Sequence, residues 1–276
     1  MIEQPEFELV IIDLDSILYQ IAFVEPSPAK RYKQLQNKIN EIMKNTGTHQ
    51  SVCVIKGKDN FRYQVADDYK GNRKDNLDAV VKERLVDLYN HSKEFSMEAD
   101  GMEADDLCHI LSKTTYENTI IAHMDKDLNA ISGWHYNFKK LNTYKVTPEE
   151  GYLFLMKQIL TGDSSDNIKG LFKVGPVSAN NLLDGVPQKD IWNKVIDTYK
   201  TKSDINHLVK CANLIYIREY EEHCKPLTLE ELTEVFNWKN YTDTGIPSQT
   251  DQKEPLDLST TSKTLKQEDD TLEESN

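Results

Sequence analysis

The chain lacks the features that would place it in a membrane, in a secretory route or in a disulfide framework. None of its 276 residues fall in a stretch approaching the ~20 consecutive apolar residues of a membrane helix. The longest apolar runs, Leu9–Ile12 and Thr119–Ala122, are only strand-sized. Residues 1–7 carry two glutamates and no basic residue ahead of an apolar run, which does not fit a secretory signal. Cysteine is scarce. Cys53, Cys108, Cys211 and Cys224 lie far apart with no C-x-x-C, so they read as reduced core residues of a cytoplasmic protein, not as a zinc site or disulfide frame. There is no internal repeat. Positive charge is also short, with 33 Lys and Arg against 46 Asp and Glu and a net charge of −13. On average that argues against nucleic acid as a partner. The average divides unevenly, however. From Asp243 onward nine acidic residues face three lysines, so about −6 of the −13 sits in the last segment. Carboxylates gathered around metal ions would leave the remaining surface neutral or basic.

The chain has enough apolar residues, 38%, to build a core, which excludes wholesale disorder. Its length suits one large α/β domain or two small ones. Leu9–Ile12, Ser51–Ile55 and Thr119–Met124 are continuous, β-branched runs of the kind buried on both faces of a parallel sheet. Helical spacing recurs between them, in Ala29–Asn45 through Leu35, Ile39, Ile42 and Met43, and in Glu103–Tyr116 through Leu107, Ile110, Leu111 and Thr114. Strands alternating with helices imply right-handed crossovers and sites beyond the carboxyl ends of the strands. After Val146 the pattern turns helical. Thr147-Pro148-Glu149-Glu150 is a capping box with proline at the first helical position. Further helices are expected at Val177–Leu183, Lys189–Lys200 and Asp204–Glu221. Residues 243–276 have no periodicity and read as a disordered acidic tail.

Several carboxylates fall where a surface acid would not be needed. Asp13 ends a buried run. Asp125 and Asp127 follow another, two apart, and share a face if the chain stays extended. Glu103 and Asp106 sit three apart at a helix start with Asp105 beside them, and Asp163 and Asp166 are three apart in Gly162-Asp163-Ser164-Ser165-Asp166-Asn167. Such crowding is unfavourable without cations, and oxygen-only ligands select Mg²⁺ or Mn²⁺ over zinc. Two such ions flanking a phosphodiester activate water on one side and stabilise the leaving oxygen on the other. Plainer readings stand beside this one. The Glu103–Asp106 acids also suit a helix N-terminus. Asp163–Asn167 could be a calcium loop but lacks the spacing and closing glutamate of an EF-hand. Asp15 reads as a cap of a helix over Ser16–Ala22, and His109 and His123 read as packing residues outside the site.

Two segments are basic. Asp68-Tyr69-Lys70-Gly71-Asn72-Arg73-Lys74 offers cations for phosphates and an aromatic ring for a base, or is a solvated loop. Lys169-Gly170-Leu171-Phe172-Lys173-Val174-Gly175-Pro176 reads as a tight turn between helices whose backbone N–H groups face a phosphate, or as an ordinary helix pair.

From about Val10 to Leu183 these motifs, in this order, resemble the 5′-nuclease superfamily of flap endonucleases and 5′-to-3′ exonucleases of the bacteriophage and DNA polymerase I type. Asp13 matches the aspartate closing the family's first strand. Tyr69-Lys70-Gly71-Asn72-Arg73 is similar to Y-K-x-N-R, and Glu103-Ala104-Asp105-Asp106 to E-A-D-D. Asp125-Lys126-Asp127 is similar to D-x-D, and residues 162–170 to G-D-x-x-D-N-I-x-G. The chain departs from the pattern in four places. Ile55-Lys56-Gly57-Lys58-Asp59 stands where the family has an aspartate at the end of the second strand. Lys173 replaces the first glycine of the hairpin, Leu14 replaces a glycine after Asp13, and residues 74–96 are short for an arch.

The resemblance implies an α/β fold with a PIN-like parallel-sheet core and helical arch over residues 1–146. It implies a helical region with a helix–three-turn–helix DNA-binding element over 147–242. It further implies two Mg²⁺ ions, with Mn²⁺ able to substitute, and a potassium ion at the hairpin. Asp13, Glu103, Asp105 and Asp106 would hold the first divalent ion with Asp125 shared or nearby, and Asp127, Asp163 and Asp166 the second, the last two partly through water. Lys70 and Arg73 would polarise the scissile phosphate, and Tyr69, Lys70, Arg73, Lys169, Lys173 and Gly175 would contact DNA. The implied activity is hydrolysis at or near 5′ ends, flaps or nicks of DNA, or of an RNA–DNA hybrid, by a monomer in replication or repair. The acidic tail would dock a replication protein, and a phage protein would act in the host cytoplasm. The rival readings are a non-catalytic structure-specific DNA-binding protein and a PIN-type ribonuclease.

Overall fold

The computed structural model describes residues 4–73, 77–116 and 118–237. Lys74 of the basic segment and the tail 243–276 lie outside the described residues. In chain order the elements are β1 (Leu9–Asp13), α1 (Asp15–Val24), α2 (Pro28–Thr46), β2 (Ser51–Lys56), α3 (Arg62–Val65), α4 (Ala79–Ser92), β3 (Ser96–Ala99), α5 (Ala104–Thr114) and β4 (Thr119–His123). After a 3₁₀ turn at Asp127–Ala130 come β5 (Gly133–Asn137), β6 (Asn142–Val146), α6 (Pro148–Thr161), β7 (Gly162–Asp163), β8 (Ile168–Lys169), α7 (Pro176–Leu183), α8 (Gln188–Lys202), α9 (Ile205–Ile215) and α10 (Leu229–Val235).

The main sheet runs β3-β2-β1-β4-β5-β6, parallel except for β6 at the edge. From β1 the chain builds outward to β2 and β3 on one side, then crosses to β4 and β5 on the other. The order therefore reverses between β1 and β4, and the carboxyl ends of those strands flank the crevice where such sheets bind ligands. The three apolar runs are buried on both faces. Leu9, Ile11, Val54 and Ile121 join one core with α5, α6 and the later helices. Val10, Ile12, Cys53, Ile55, Ile120 and Ala122 join the other with α1, α2 and α4. A continuous apolar strand between two helical layers is the arrangement that leaves no face in water.

The candidate boundary at residue 146 falls between β6 and α6. Thr147 caps α6, its hydroxyl accepting from the Glu150 N–H while Glu150 accepts from the Thr147 N–H. The segment assigned to the arch contains α4, which buries Val81, Leu85, Leu88 and Tyr89 against the α1 and α2 layer. The helix expected over Asp204–Glu221 ends at Ile215, where Tyr216 turns to extended backbone and the chain goes on to bury Arg218. All four cysteines are free thiols. No helix of the described residues is long and apolar enough to cross a membrane.

Candidate active site

Alternation along β1 turns Asp13 to the same side as Leu9 and Ile11, toward the start of α5. There it is 5% exposed. Burial, then the charges of Asp15 and Asp125, raise its carboxyl to about 7. Asp105, in the first turn of α5, is pushed well above the usual range by burial and then by Asp13, Asp125 and Glu103. Among the described residues no lysine or arginine makes an ion pair with Asp13, Asp105 or Asp125.

Glu103, at the N-cap of α5, accepts hydrogen bonds from the Lys70 ammonium, from the Asn60 amide at 3.1 Å and from the Tyr69 hydroxyl at 3.1 Å. Asp166 accepts from the Arg73 guanidinium and from Tyr69 at 3.2 Å, with the Lys70 ammonium 3.7 Å away. Lys70 and Arg73 thus stand between these two carboxylates. Lys70 holds a left-handed backbone (φ 55°), and its N–H donates to the Asp166 carbonyl at 2.9 Å, tying the two loops together. A non-glycine residue at positive φ costs on the order of 1 kcal/mol, and such strain persists where surrounding contacts over-determine it.

Asp106 is not part of the exposed acidic face. It is wholly buried, with both oxygens taken by the Arg62 guanidinium at 2.6 and 2.9 Å. It also accepts the backbone N–H groups of Arg218 at 2.7 Å and Glu103 at 2.9 Å. Burial alone would raise its carboxyl, but Arg62 and these donors hold it below the usual range. The expectation that Asp106 binds a metal is therefore corrected, because its lone pairs are already spent on cation and backbone. Tyr69 is corrected too. It is 3% exposed, its ring packs edge-on to Tyr63, and its hydroxyl serves Glu103 and Asp166, so it offers no face to a base.

Asp125 and Asp127 do not continue extended. β4 stops at His123, and the Asp127 N–H turns back to donate to Asp125 Oδ1 at 2.9 Å, opening the 3₁₀ turn. Burial and then Asp125 raise Asp127 to about 6. Asp163 is buried and would be raised by that alone. Ser165, through its N–H at 2.7 Å and its hydroxyl, and Lys126 hold it low instead. The close approach of β7 and β8 sets this loop, since a Cβ on Gly170 would meet the Thr161 carbonyl carbon at 2.2 Å. His123 is buried, and its Nδ1–H donates to the Asp125 carbonyl at 2.6 Å, which braces the turn. Asp59 is exposed and lies beyond the strand end, which Lys56 occupies.

Among the described residues no three His, Cys, Asp or Glu side chains close on one point as a finished coordination sphere. The donor set nevertheless fits a hard divalent cation. It is all oxygen, and Asp13 and Asp105, which crowding and burial keep from ionising easily and which make no ion pair among the described residues, would ionise readily beside such a cation.

At the hairpin, the Lys169 carbonyl accepts from His207 Nε2 at 2.7 Å, while its side chain faces solvent. Lys173 has φ 56°, and its ammonium lies 5.2 Å from the ring centroid of Phe172, itself 80% exposed. Gly175 is the N-cap of α7 with open space around it. Neither hairpin lysine makes an ion pair with the carboxylates among the described residues.

Sequence reasoning passed over Arg62, which lies in a four-residue helix with no periodicity to mark it. It also underrated Asp15. That residue does not cap α1, whose N-cap is Leu14. Its Oδ1 accepts instead from the Lys56 N–H at 3.2 Å and the Tyr89 hydroxyl at 2.8 Å.

The family described as "5′-3′ exonuclease, N-terminal resolvase-like domain" matches residues 8–152. A flap endonuclease Xni of Shewanella denitrificans is 31% identical over 196 residues, 63% of this chain and 76% of that protein. The Xni of Pectobacterium carotovorum is 26% identical over 70% of this chain and 84% of its own length. DNA polymerase I of Bacillus caldotenax is 28% identical over 64% of this chain, but the chain spans only 23% of that larger protein. In fold, the chain is similar to the bacteriophage T5 flap endonuclease solved with DNA and metal ions. The TM-score is 0.61 at 16% identity, covering 86% of this chain and 98% of the other. With the family model matched over more than half of the chain, from Glu8 into the first turns of α6, the chain belongs to the 5′-3′ exonuclease family.

Proposed function

We propose that the chain is a divalent-metal-dependent nuclease that hydrolyses phosphodiesters of DNA at or near 5′ ends, acting on flaps and nicks. One observation carries this reading. Buried Asp13 and half-buried Asp105, neither in an ion pair among the described residues, stand at the β1–β4 crevice near a cationic pair, Lys70 and Arg73, that is itself held by carboxylates. Asp13, Glu103, Asp105 and Asp125 would hold one ion, and Asp127, Asp163 and Asp166 a second. Mg²⁺ is the natural occupant for such oxygen donors. When bound, such ions lower the cost of deprotonating water and of charge on the leaving oxygen.

The protein's own residues do the rest. Asp166 and Glu103 fix Lys70 and Arg73 at the crevice mouth, where two cations meet the charge that builds on a reacting phosphate. Arg62 and Asp106 lock the start of α5 so that Glu103 and Asp105 keep their places. Lys169 and Lys173 contact duplex phosphates away from the reacting centre, with the 243–276 segment a docking region for a replication partner.

A gel assay with a 5′-flap, a nicked duplex and an RNA–DNA hybrid tests this. Cleavage should vanish with EDTA and return with Mg²⁺ or Mn²⁺. Undiminished cleavage after exhaustive chelation would overturn the metal-dependent reading, and cleavage of the hybrid alone would move the substrate class to RNA primers.

A further inference from the structure

We infer that Asp15 is a further carboxylate of the first metal position, with Tyr89 of α4 as its positioning residue. This rests on the nuclease reading above and adds two residues to it.

The simplest role for Asp15, capping α1, does not hold, because the N-cap is Leu14 and no side chain caps that helix. The carboxylate points away from its own helix toward the end of β2 and toward α4. Both of its donors, the Lys56 N–H at 3.2 Å and the Tyr89 hydroxyl at 2.8 Å, fall on one oxygen, Oδ1. Among the described residues no donor reaches Oδ2. A carboxylate pinned through one oxygen presents the other in a fixed direction, as metal-ligating carboxylates do when an outer hydrogen bond orients them.

The neighbourhood gives that direction. Asp15 follows Asp13 by two residues, and its bond from the Lys56 N–H sets it at the carboxyl end of β2, alongside the end of β1 where Asp13 stands.

Lys56 completes the arrangement. The strand next to β1 ends in a cation at the level of the site, so β2 brings no carboxylate there. The Lys56 ammonium lies over the Tyr89 ring, 4.5 Å from its centroid, close enough for its charge to favour the Asp15 carboxylate, while its backbone N–H donates to Asp15 Oδ1. Tyr89 therefore does two things. It parks the lysine by cation–π attraction, and it orients the aspartate. The acid that β2 does not supply comes instead from the first residue of α1.

Mn²⁺ binding without DNA tests this, read from the free-ion EPR signal, alongside thermal melts of the metal-free protein. Asp15→Asn keeps an acceptor oxygen for Lys56 and Tyr89 but removes the charge. It should weaken the tighter Mn²⁺ by at least about tenfold, with the metal-free melting temperature unchanged or raised by relief of repulsion with Asp13. Tyr89→Phe should weaken Mn²⁺ in the same direction by less. Asp13→Asn is the control. If it weakens Mn²⁺ while Asp15→Asn binds like wild type, Asp15 is only a strut between α1, β2 and α4, and the inference fails. If neither substitution changes Mn²⁺ binding, the metal reading of the crevice fails with it. An Asp15→Asn protein that melts much lower and still binds Mn²⁺ with wild-type affinity would likewise overturn the proposal.

Discussion

The carboxyl edge of the sheet and the hairpin before α7 carry opposite charges in opposite surroundings. At the sheet edge most acids are buried or half-buried, positioned by strand register and a helix start, and among the described residues Asp13, Asp105 and Asp125 make no ion pair. At the hairpin, Lys169 and Lys173 are exposed, and Phe172 and Val177 project into solvent. A buried carboxyl either keeps its proton or meets a cation, so the first region is one that a cation from outside the chain would ionise. An exposed lysine is compensated by water and is free to exchange it for phosphate. The first region should therefore govern the chemical step, and the second should govern binding.

The largest effect should come from the acid at the sheet edge whose cation is fully buried with it. Asp106→Ala leaves Arg62 buried without a counter-ion and should cost about 3–5 kcal/mol of stability. A thermal or urea melt reads this directly. The folded fraction should still bind Mn²⁺, which separates Asp106 from the ligand set. Next, Asp13→Asn should slow cleavage of bound substrate by at least about a hundredfold while DNA affinity stays close to wild type, as single-turnover rates beside equilibrium binding would show.

The cations divide the comparison further. Lys70→Ala and Arg73→Ala should lower the single-turnover rate more than affinity, since contacts made in the transition state appear in the rate. Lys169→Ala or Lys173→Ala should weaken duplex binding and reduce the slope of log affinity against log salt by about 0.9 per lost phosphate contact. If the hairpin variants slowed chemistry and the Lys70 variant only weakened binding, the two regions would have to exchange roles.

The smallest expected effect concerns pH. Burial, and then Lys113, lower His109 to about 3 from an ordinary 6.5. Below 6.5 the unfolded chain takes up a proton that the folded one refuses. The stability from keeping His109 neutral is therefore present above pH 6.5 and lost progressively toward pH 3. His109→Gln should flatten that part of the decline in melting temperature relative to wild type.

Much of the fold was legible because full burial leaves a one-dimensional trace. β1, β2 and β4 are uninterrupted apolar runs, and the capping box at Thr147 stands where α6 begins. β5 and β6 left no such trace. Gly133–Asn137 and Asn142–Val146 mix polar and apolar residues because they form the antiparallel edge, one side of which meets solvent. Of the proposed ligands, Asp13, Glu103, Asp105 and Asp125 stand at strand and helix ends that the sequence marks. The roles of Asp106 and Tyr69 were not legible. Spacing can put a side chain on a face, but it cannot say that an arginine more than forty positions earlier in the chain has already claimed it.

The sequence by itself determined which residue types could do chemistry here, an oxygen-only acid set with two basic segments, and which runs had to be buried between helices. Periodicity and composition are local properties, so a single chain displays them. Only the tertiary structure decided how the acids divide. Asp106 went to Arg62 and a structural role, Asp13 and Asp105 were left without an ion pair among the described residues, Asp127 turned back onto Asp125 to open a 3₁₀ turn, and Asp15 was drawn to Tyr89 and Lys56. Each outcome depends on which partner, distant in sequence, reaches a carboxylate in a space where an unpartnered charge is costly, and packing alone sets that distance.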